Sequence, residues 1–434
     1  MTESMKTLLH RQATSVAFKP SDIESIVGTS RRRVRRRRVF ATLATVVSVA
    51  LAGGGVAVLM NRGAEGPPPP PPASPWPRSE VSWATGTTIH VGAAETVDVG
   101  HTVNAYVRTV SGFVTLDDTD AVYSVTDAGV TRIGQMLASL PDNTDVQRFV
   151  VNSTGTLVAW VDDAGSPDNL AVRVYDTVKG AIRDIPAPRT TPDVHELTGV
   201  QLFAIDDRTL YWRTYEGVHE YDLDSDTDRI IVGRGEVSPA DAIYSFEVYS
   251  AVNGVLAFTP NDDHTMLAGP SVQDATELID FREYESALQI PAELLARDAE
   301  IIVGHTDPAR LSPTGAWFSL GIFEAVAVPV GTPAAGGAEF GEQRITPMVI
   351  EPAPGELTGL AVPDAMFSMP LVWLDDTTVQ VIGFTVDPQQ LQTPTSAVFY
   401  ACRVPEGTCQ QEAAMELPIP AFGVFPDGRW YGQR

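Results

Sequence analysis

The stretch Val200–Gly233, "VQLFAIDDRTLYWRTYEGVHEYDLDSDTDRIIVG", decides the fold. Four apolar runs rich in Val, Ile, Leu and Tyr are separated by breaks at Asp206-Asp207-Arg208, at Glu216-Gly217 and at the Asp-rich segment from Asp222 to Asp228. Short β-branched and aromatic runs bounded by Gly and Asp read as strands, and breaks this short read as tight turns. One such unit is a four-stranded antiparallel meander that cannot bury both of its faces alone.

The unit recurs. Before it stand Ala105–Gly134, "AYVRTVSGFVTLDDTDAVYSVTDAGVTRIG", and Gln147–Pro186, with "VVNSTGTLVAWVDD" followed by "LAVRVYDTVKGAIRDIP". After it come Phe246–Asp280, with "VYSAVNGVLAFTP", a fifth copy from Ala309, "ARLSPTGAWFSLGIF", resuming at "ITPMVIEPAPGELTGL", and a sixth from Met369, "MPLVWLDDTTVQVIGF". The first turn of each copy is chemically alike: Ser111-Gly112, Thr154-Gly155, Asp207-Arg208, Asn253-Gly254, Thr314-Gly315 and Asp376-Thr377. Gly, Asn and Asp supply the backbone conformations of tight hairpins. A four-stranded unit repeated every ~40–60 residues without intervening helices predicts an all-β fold, a β-propeller. A further sheet is expected from both chain ends: two strands from Thr87–Gly100 and two from "FGVFPDGRWYG", around Asp427-Gly428. That gives seven four-stranded blades, or six if either end lies outside the ring. Two segments break the pattern. Tyr284–Glu300 has helical periodicity, and Glu324–Gln343, rich in Gly, Ala and Pro, reads as a mobile loop inserted in the fifth copy.

Ser312-Pro313-Thr314-Gly315 resembles the S-P-D-G turn of TolB-like propellers, and Phe425-Pro426-Asp427-Gly428 is similar. The copies, over about residues 82–431, resemble the propellers of the WD-repeat and TolB-like superfamily. The Trp-Asp dipeptide of that group is replaced by Trp160-Val161-Asp162. The resemblance implies architecture and no particular activity.

Upstream, Val39–Met60 is uncharged and long enough for a helix spanning a hydrocarbon core of about 30 Å. Arg31, Arg32, Arg33, Arg35, Arg36, Arg37 and Arg38 precede it, and only Arg62 follows closely. Positive residues stay on the cytoplasmic side, so a single-pass protein is expected, in the plasma membrane, with its N-terminus inside and its large domain extracytoplasmic. Cleavage at Ala50-Leu51-Ala52 is the rival reading, and it delivers the domain to the same side. Pro67–Pro72 reads as a stiff spacer. The expected organisation is a cytoplasmic basic tail at 1–38, a membrane helix at 39–60, a Pro-rich linker at 61–80 and a propeller at 81–434. This layout resembles that of membrane-anchored propeller proteins of high-GC Gram-positive bacteria.

Charge follows the same division. The chain holds 30 Lys+Arg and 55 Asp+Glu, net −25; residues 1–62 hold 11 basic and 3 acidic residues, which leaves the remainder at −33. Such a surface repels nucleic acid and anionic headgroups, so the large domain is expected to bind neither.

Motifs for chemistry are sparse. There is no G-x-S-x-G elbow and no H-E-x-x-H pair. His10, His90, His101, His195, His219, His264 and His305 are scattered singly. Asp222, Asp224, Asp226 and Asp228 have calcium-loop spacing. However, Thr227 stands where the glycine belongs and Gly233 at the twelfth position, so an Asp-rich turn is the better reading. Tyr211, Trp212 and Tyr215 form either a sugar platform or, more commonly in such strands, core packing. No metal or cofactor is expected. Cys402 and Cys409, either side of Pro405-Glu406-Gly407, suggest a hairpin disulfide. The functional expectation is a binding module, a sensor or scaffold for a protein, small molecule or glycan. An envelope-polymer hydrolase or lyase with a site assembled from loops is the alternative. A regulator contacting a cytoplasmic sigma factor through the tail, where Ser21-Asp22-Ile23-Glu24 has a capping-box pattern, is a third.

Overall fold

Among the described residues strands follow one another with almost no helix. The computed structural model describes residues 76, 78–137, 147–163, 170–186, 200–214, 216–233, 246–260, 265–295, 299–330, 337–352, 357–363, 365, 367–386, 394–416 and 424–429. The basic tail, the apolar run 39–60, the arginines at 31–38 and most of the linker lie outside these residues. Among the described residues no helix is long and apolar enough to cross a membrane. Apart from Val330 and Gly337, the described residues belong to one compact unit.

That unit is a series of antiparallel sheets. The first has β1 (Ser82–Thr85), β2 (Thr88–Val91) and β3 (Glu95–Asp98). Four four-stranded meanders follow: β4 (Ala105–Thr109) to β7 (Gly129–Gln135), with β5 (Gly112–Leu116) and β6 (Ala121–Thr126) between; then β8 (Val150–Val151), β9 (Leu157–Asp163), β10 (Leu170–Asp176) and β11 (Ala181–Pro186). The next is β12 (Gln201–Ile205), β13 (Thr209–Thr214), β14 (Gly217–Asp222) and β15 (Thr227–Gly233). After it come β16 (Glu247–Val252), β17 (Val255–Thr259), β18 (Thr265–Gly269) and β19 (Thr276–Asp280). The last sheet has two halves. One is β20 (Glu300–Leu311), β21 (Phe318–Val330), β22 (Gly337–Ile350) and β23 (Thr358–Gly359); the other is β24 (Phe367–Asp375), β25 (Thr378–Val386), β26 (Pro394–Arg403) and β27 (Thr408–Glu416). Their strands pair at Ile345 and Phe367, in parallel.

The first strands of successive sheets lie side by side, β4 by β8, β8 by β12, β12 by β16, β16 by β20 and β20 by β24. Burial falls outward within a sheet: β4 is wholly buried, whereas most of β7 is exposed. Among the described residues the buried apolar side chains form seven clusters, each shared by neighbouring sheets or sheet halves. Alternate residues of one strand serve different clusters: Leu210 and Trp212 pack toward the preceding sheet, Tyr211 toward the following one. The clusters run round to the start, because Val81 and Trp83 pack against Leu371, Ile382 and Phe399 of the last half-sheet. This radial arrangement is a β-propeller.

The ends meet differently from the sequence-based expectation. The N-terminal side supplies three strands rather than two. Among the described residues the C-terminal side supplies one position, with Ala84 and Val424 exchanging N–H···O bonds of 2.8 and 3.0 Å. Asp427-Gly428 turns no hairpin. The segment runs on across the inner strands, Asp427 bridging to Val107 and Arg429 to Gln147. Gly428 has φ +79°, and a side chain there would meet the Phe149 carbonyl at 2.4 Å, so this crossing requires glycine. The buried Gln380 side chain seals the same seam, donating to Ser82 O at 2.9 Å and accepting from Ser82 N at 3.2 Å.

Two other expectations change. Among the described residues of Tyr284–Glu300 the helix is α1 (Ala292–Leu295), and Glu300 already opens the twelve-residue β20. Asp307-Pro308 hid that strand. Its register shifts between Thr306 and Arg310, where a bulge accommodates a proline that has no N–H to give. The described residues of the insertion Glu324–Gln343 are strand, not loop; 331–336 lie outside the described residues. Its flanks continue β21 and β22, which pair as one long hairpin. Ala325, Val326, Ala327 and Val328 are buried there.

Candidate functional site

The ends of the first strands surround a cavity at the centre of the sheets. The space there is about 750 Å³, counting the solvent at its opening. Each inner strand contributes its last residues: Arg108 from β4, Val150 and Val151 from β8, Phe203 to Ile205 from β12, Tyr249 to Val252 from β16, Arg310 and Leu311 from β20, and Val372 and Trp373 from β24. Arg78 reaches in ahead of β1, and Pro426 comes from the C-terminal crossing segment. Three arginines and no Asp, Glu or His line this wall among the described residues. Each guanidinium donates to a main-chain carbonyl: Arg78 Nη1 to Ser153 O at 3.1 Å, Arg310 Nη2 to Asp427 O at 2.7 Å, and Arg108 Nη1 to Glu80 O. Burial lowers the Arg108 pKa to about 10, and Arg78 beside it pushes the same way against Tyr106 and Glu80. The group therefore stays charged at neutral pH. Burial lowers that of Arg78 as well.

The rim of this opening is stitched together. Val110 N donates to Gly155 O at 3.0 Å, and Asn152 Nδ2 to Asp207 Oδ1 at 2.8 Å. Asp206 accepts from the main-chain N–H groups of Asn253 (3.2 Å) and Gly254 (2.9 Å). Asn253 Nδ2 donates to Pro313 O at 3.3 Å, and Thr314 N to Asp376 Oδ1 at 2.7 Å. Each bond leaves one first turn and lands on the next. The likeness among the turns thus reflects more than hairpin geometry: Asn253 and Gly254 both have φ > 0, as a two-residue turn needs, and present their N–H groups to the neighbouring Asp206. Ser312-Pro313-Thr314-Gly315 is one of these first turns. Phe425-Pro426-Asp427-Gly428, alike in letters, belongs to the crossing segment instead.

The other sequence candidates lie away from the opening. Asp222 to Asp226 form the β14–β15 turn, and their carboxylates do not converge. Asp222 accepts from Asp224 N and Ser225 N at 2.8 and 2.9 Å, and these bonds hold its pKa below the usual carboxylate range. Asp226 is lowered likewise by Tyr221 and Arg183. Asp224 pairs with Arg208 at 3.0 Å, and Asp228 with His219 at 3.0 Å. Among the described residues no three His, Cys, Asp or Glu are placed to hold a metal ion. Trp212 is fully buried, stacked on His219 at 5.7 Å between ring centres, so it is core and not a sugar platform. Tyr215 lies outside the described residues, as do His10, His195 and His264. The remaining histidines stand apart from one another, bonded to Thr85 (His90), Thr115 (His101), Thr214 (His219) and Tyr249 (His305).

Cys402 and Cys409 are direct cross-strand partners on β26 and β27, Cα atoms 4.0 Å apart, a pair able to form a disulfide. Cys402 is fully buried against Val379 and Tyr400, beside the cluster that joins the two halves of the last sheet. The closed loop is short, so the bond should add no more than about 2 kcal/mol. Mass spectrometry of unreduced protein purified under oxidising conditions should show one intramolecular bridge, and Cys402→Ser should melt only modestly lower. Free thiols in that material would contradict this, as would loss of folding in the variant.

No family model matches the chain, and no curated protein matches it. Among solved structures, the putative TolB from Agrobacterium tumefaciens shares 10% identity over 79% of this chain and 91% of its own, with a TM-score of 0.34. The β-propeller domain of the Trilobed protease from Pyrococcus furiosus shares 9% over 76% of this chain and 91% of its own, TM-score 0.45. TolB from Acinetobacter baumannii shares 10% over 72% and 64%, TM-score 0.33. These are likenesses to propellers, and they assign no role to any residue here.

Proposed function

We propose that the chain is a membrane-anchored, extracytoplasmic propeller of seven blades that binds a ligand at its central opening, as a sensor or scaffold and without chemistry of its own. The blades would be the first sheet completed by Val424, the four meanders, and the two halves of the last sheet. What carries the binding reading is the cavity wall: neutral, apolar and guanidinium groups, with no carboxylate or imidazole to move a proton among the described residues. The anchor rests on the uncharged run behind seven arginines.

Both halves of the reading can be tested on one expression strain. Protease added to intact cells should degrade the large domain and spare the tail. Full-length protein in detergent, incubated with soluble envelope extract, should retain a ligand that leaves chemically unaltered. Protection of the domain would remove the topology, and release of a converted product would replace binding with catalysis.

A further inference from the structure

We infer that Asn253-Gly254 is a site of spontaneous deamidation, that Asp206 holds the reaction back while the rim is stitched, and that the product undoes the stitch. The inference is independent of what the cavity binds. Asn253-Gly254 is the one Asn-Gly pair in the chain. In the reaction the Gly254 main-chain nitrogen gives its proton to hydroxide and attacks Cγ of the Asn253 side chain. The C–N bond of the side-chain amide breaks, ammonia leaves with a proton from solvent, and a succinimide ring remains. Water opens either ring carbonyl, which gives aspartate or isoaspartate at 253. One water enters, one ammonia leaves, and nothing is oxidised or reduced. Glycine favours the attack because it has no Cβ to crowd its nitrogen.

Water reaches this turn, since both residues are exposed. Among the described residues nothing lies within 4 Å of where a Gly254 side chain would stand, so crowding does not protect it. The restraint lies in the hydrogen bonds. The proton that must leave Gly254 N is donated to Asp206 Oδ2 at 2.9 Å, and Asn253 N donates to Asp206 Oδ1 at 3.2 Å. A carboxylate there opposes the reaction twice: its hydrogen bond must break, and the amide anion must form beside a like charge. The departing nitrogen, Asn253 Nδ2, is itself held by Pro313 O at 3.3 Å.

The product does not suit the turn. At two other first turns an Asp accepts from the preceding sheet: Asp207 from Asn152 Nδ2 at 2.8 Å and Asp376 from Thr314 N at 2.7 Å. At 253 the order is reversed. The preceding turn supplies the carboxylate, and Asn253 supplies donors on both sides. A side-chain amide can donate, whereas an ionised carboxylate only accepts. Aspartate at 253 would therefore set an oxygen against the Pro313 carbonyl and a like charge beside Asp206. Isoaspartate would add a methylene to the main chain of a two-residue turn, whose length fixes the strand register.

The test follows the full chain in detergent, folded and unfolded in guanidinium, in the same mildly alkaline buffer, with aspartate and isoaspartate at 253 counted by peptide mass mapping. The folded chain should react at least about tenfold more slowly, the factor expected for one hydrogen bond to a charged acceptor. Asp206→Ala, still folded by circular dichroism, should regain most of that factor. If the alanine variant misfolds, Asp206→Asn keeps an acceptor, removes the charge and should raise the rate in the same direction. Equal rates for folded and unfolded parent would overturn the restraint, as would a rate that the folded Asp206 variant leaves unchanged. The consequence is read on Asn253→Asp, made directly. It should melt below the parent, and Asp206→Asn added to it should recover part of the loss. A melt at or above that of the parent would overturn the unstitching, as would a loss that the added Asp206→Asn does not reduce.

Discussion

Trp160→Ala is expected to destabilise the propeller by about 3–5 kcal/mol, the range for removing a fully buried large aromatic. Trp160 is 0% exposed and sits in the cluster between the β4–β7 and β8–β11 sheets, edge-on to Phe149 at 6.4 Å. Its fit is tight. A Cβ on Gly134 would come within 2.7 Å of the indole, so the outer strand of one sheet is thinned to admit the ring of the next. The indole N–H donates to Asp162 Oδ2 at 3.2 Å, and Asp162 also pairs with Arg173 at 2.8 Å and accepts from Gln135 N at 3.2 Å. Trp160→Phe keeps a six-membered ring and loses the N–H together with part of the indole, so it should cost less. Urea denaturation followed by circular dichroism measures both. Equal losses would mean that the ring retained by phenylalanine does nothing to hold these sheets together.

A chain stopped before Val424 should lose at least about 3 kcal/mol, the low end for deleting one buried Phe. Phe425 is 3% exposed, packed edge-on to Phe399 at 6.0 Å, in the cluster that joins the last half-sheet to β1. The same cut removes the Ala84 pairing, the carbonyl that receives Arg310, and the bridges to Val107 and Gln147. Thermal melting should broaden as well as fall, because the seam opens while the meanders opposite keep their own clusters. A melt as sharp and as high as that of the parent chain would show that the crossing segment is dispensable. Phe425→Ala, which leaves the main chain intact, separates the loss of packing from the loss of pairing.

The meanders were legible because their signals are local. Thr154-Gly155, Asn253-Gly254 and Thr314-Gly315 mark first turns, and the apolar runs around them give strand limits within a few residues of those observed. The seam was less legible. Ala84 and Val424 stand far apart in the chain, and among the described residues a single paired position leaves no run to recognise. Asp307-Pro308 interrupts the alternation of β20 and hides it, and Ala, Gly and Pro, poor strand formers, hide the strand character of 324–343, where Ala325 to Val328 are buried. The arginine wall had no signal at all. Arg78, Arg108 and Arg310 each sit in an unremarkable context, and only the ring arrangement brings them together. The bonds from Asp206 to Asn253 and Gly254 were hidden for the same reason, though the recurrence of Asp and Asn in those turns was in plain sight.

The single pairing of Ala84 with Val424 also sets a timetable. On the ribosome, β1 emerges early, whereas its partner emerges only after nearly every other strand has been made. At about 5–20 residues per second, the interval is some tens of seconds. Throughout it, Ser82–Thr85 has an uncovered edge, and Val81 and Trp83 lack the surface they will rest on. An uncovered strand edge accepts any strand that arrives, including one from another nascent chain. The risk therefore grows with every pause in translation downstream of β1, and it ends only when Val424 is free to reach the first sheet.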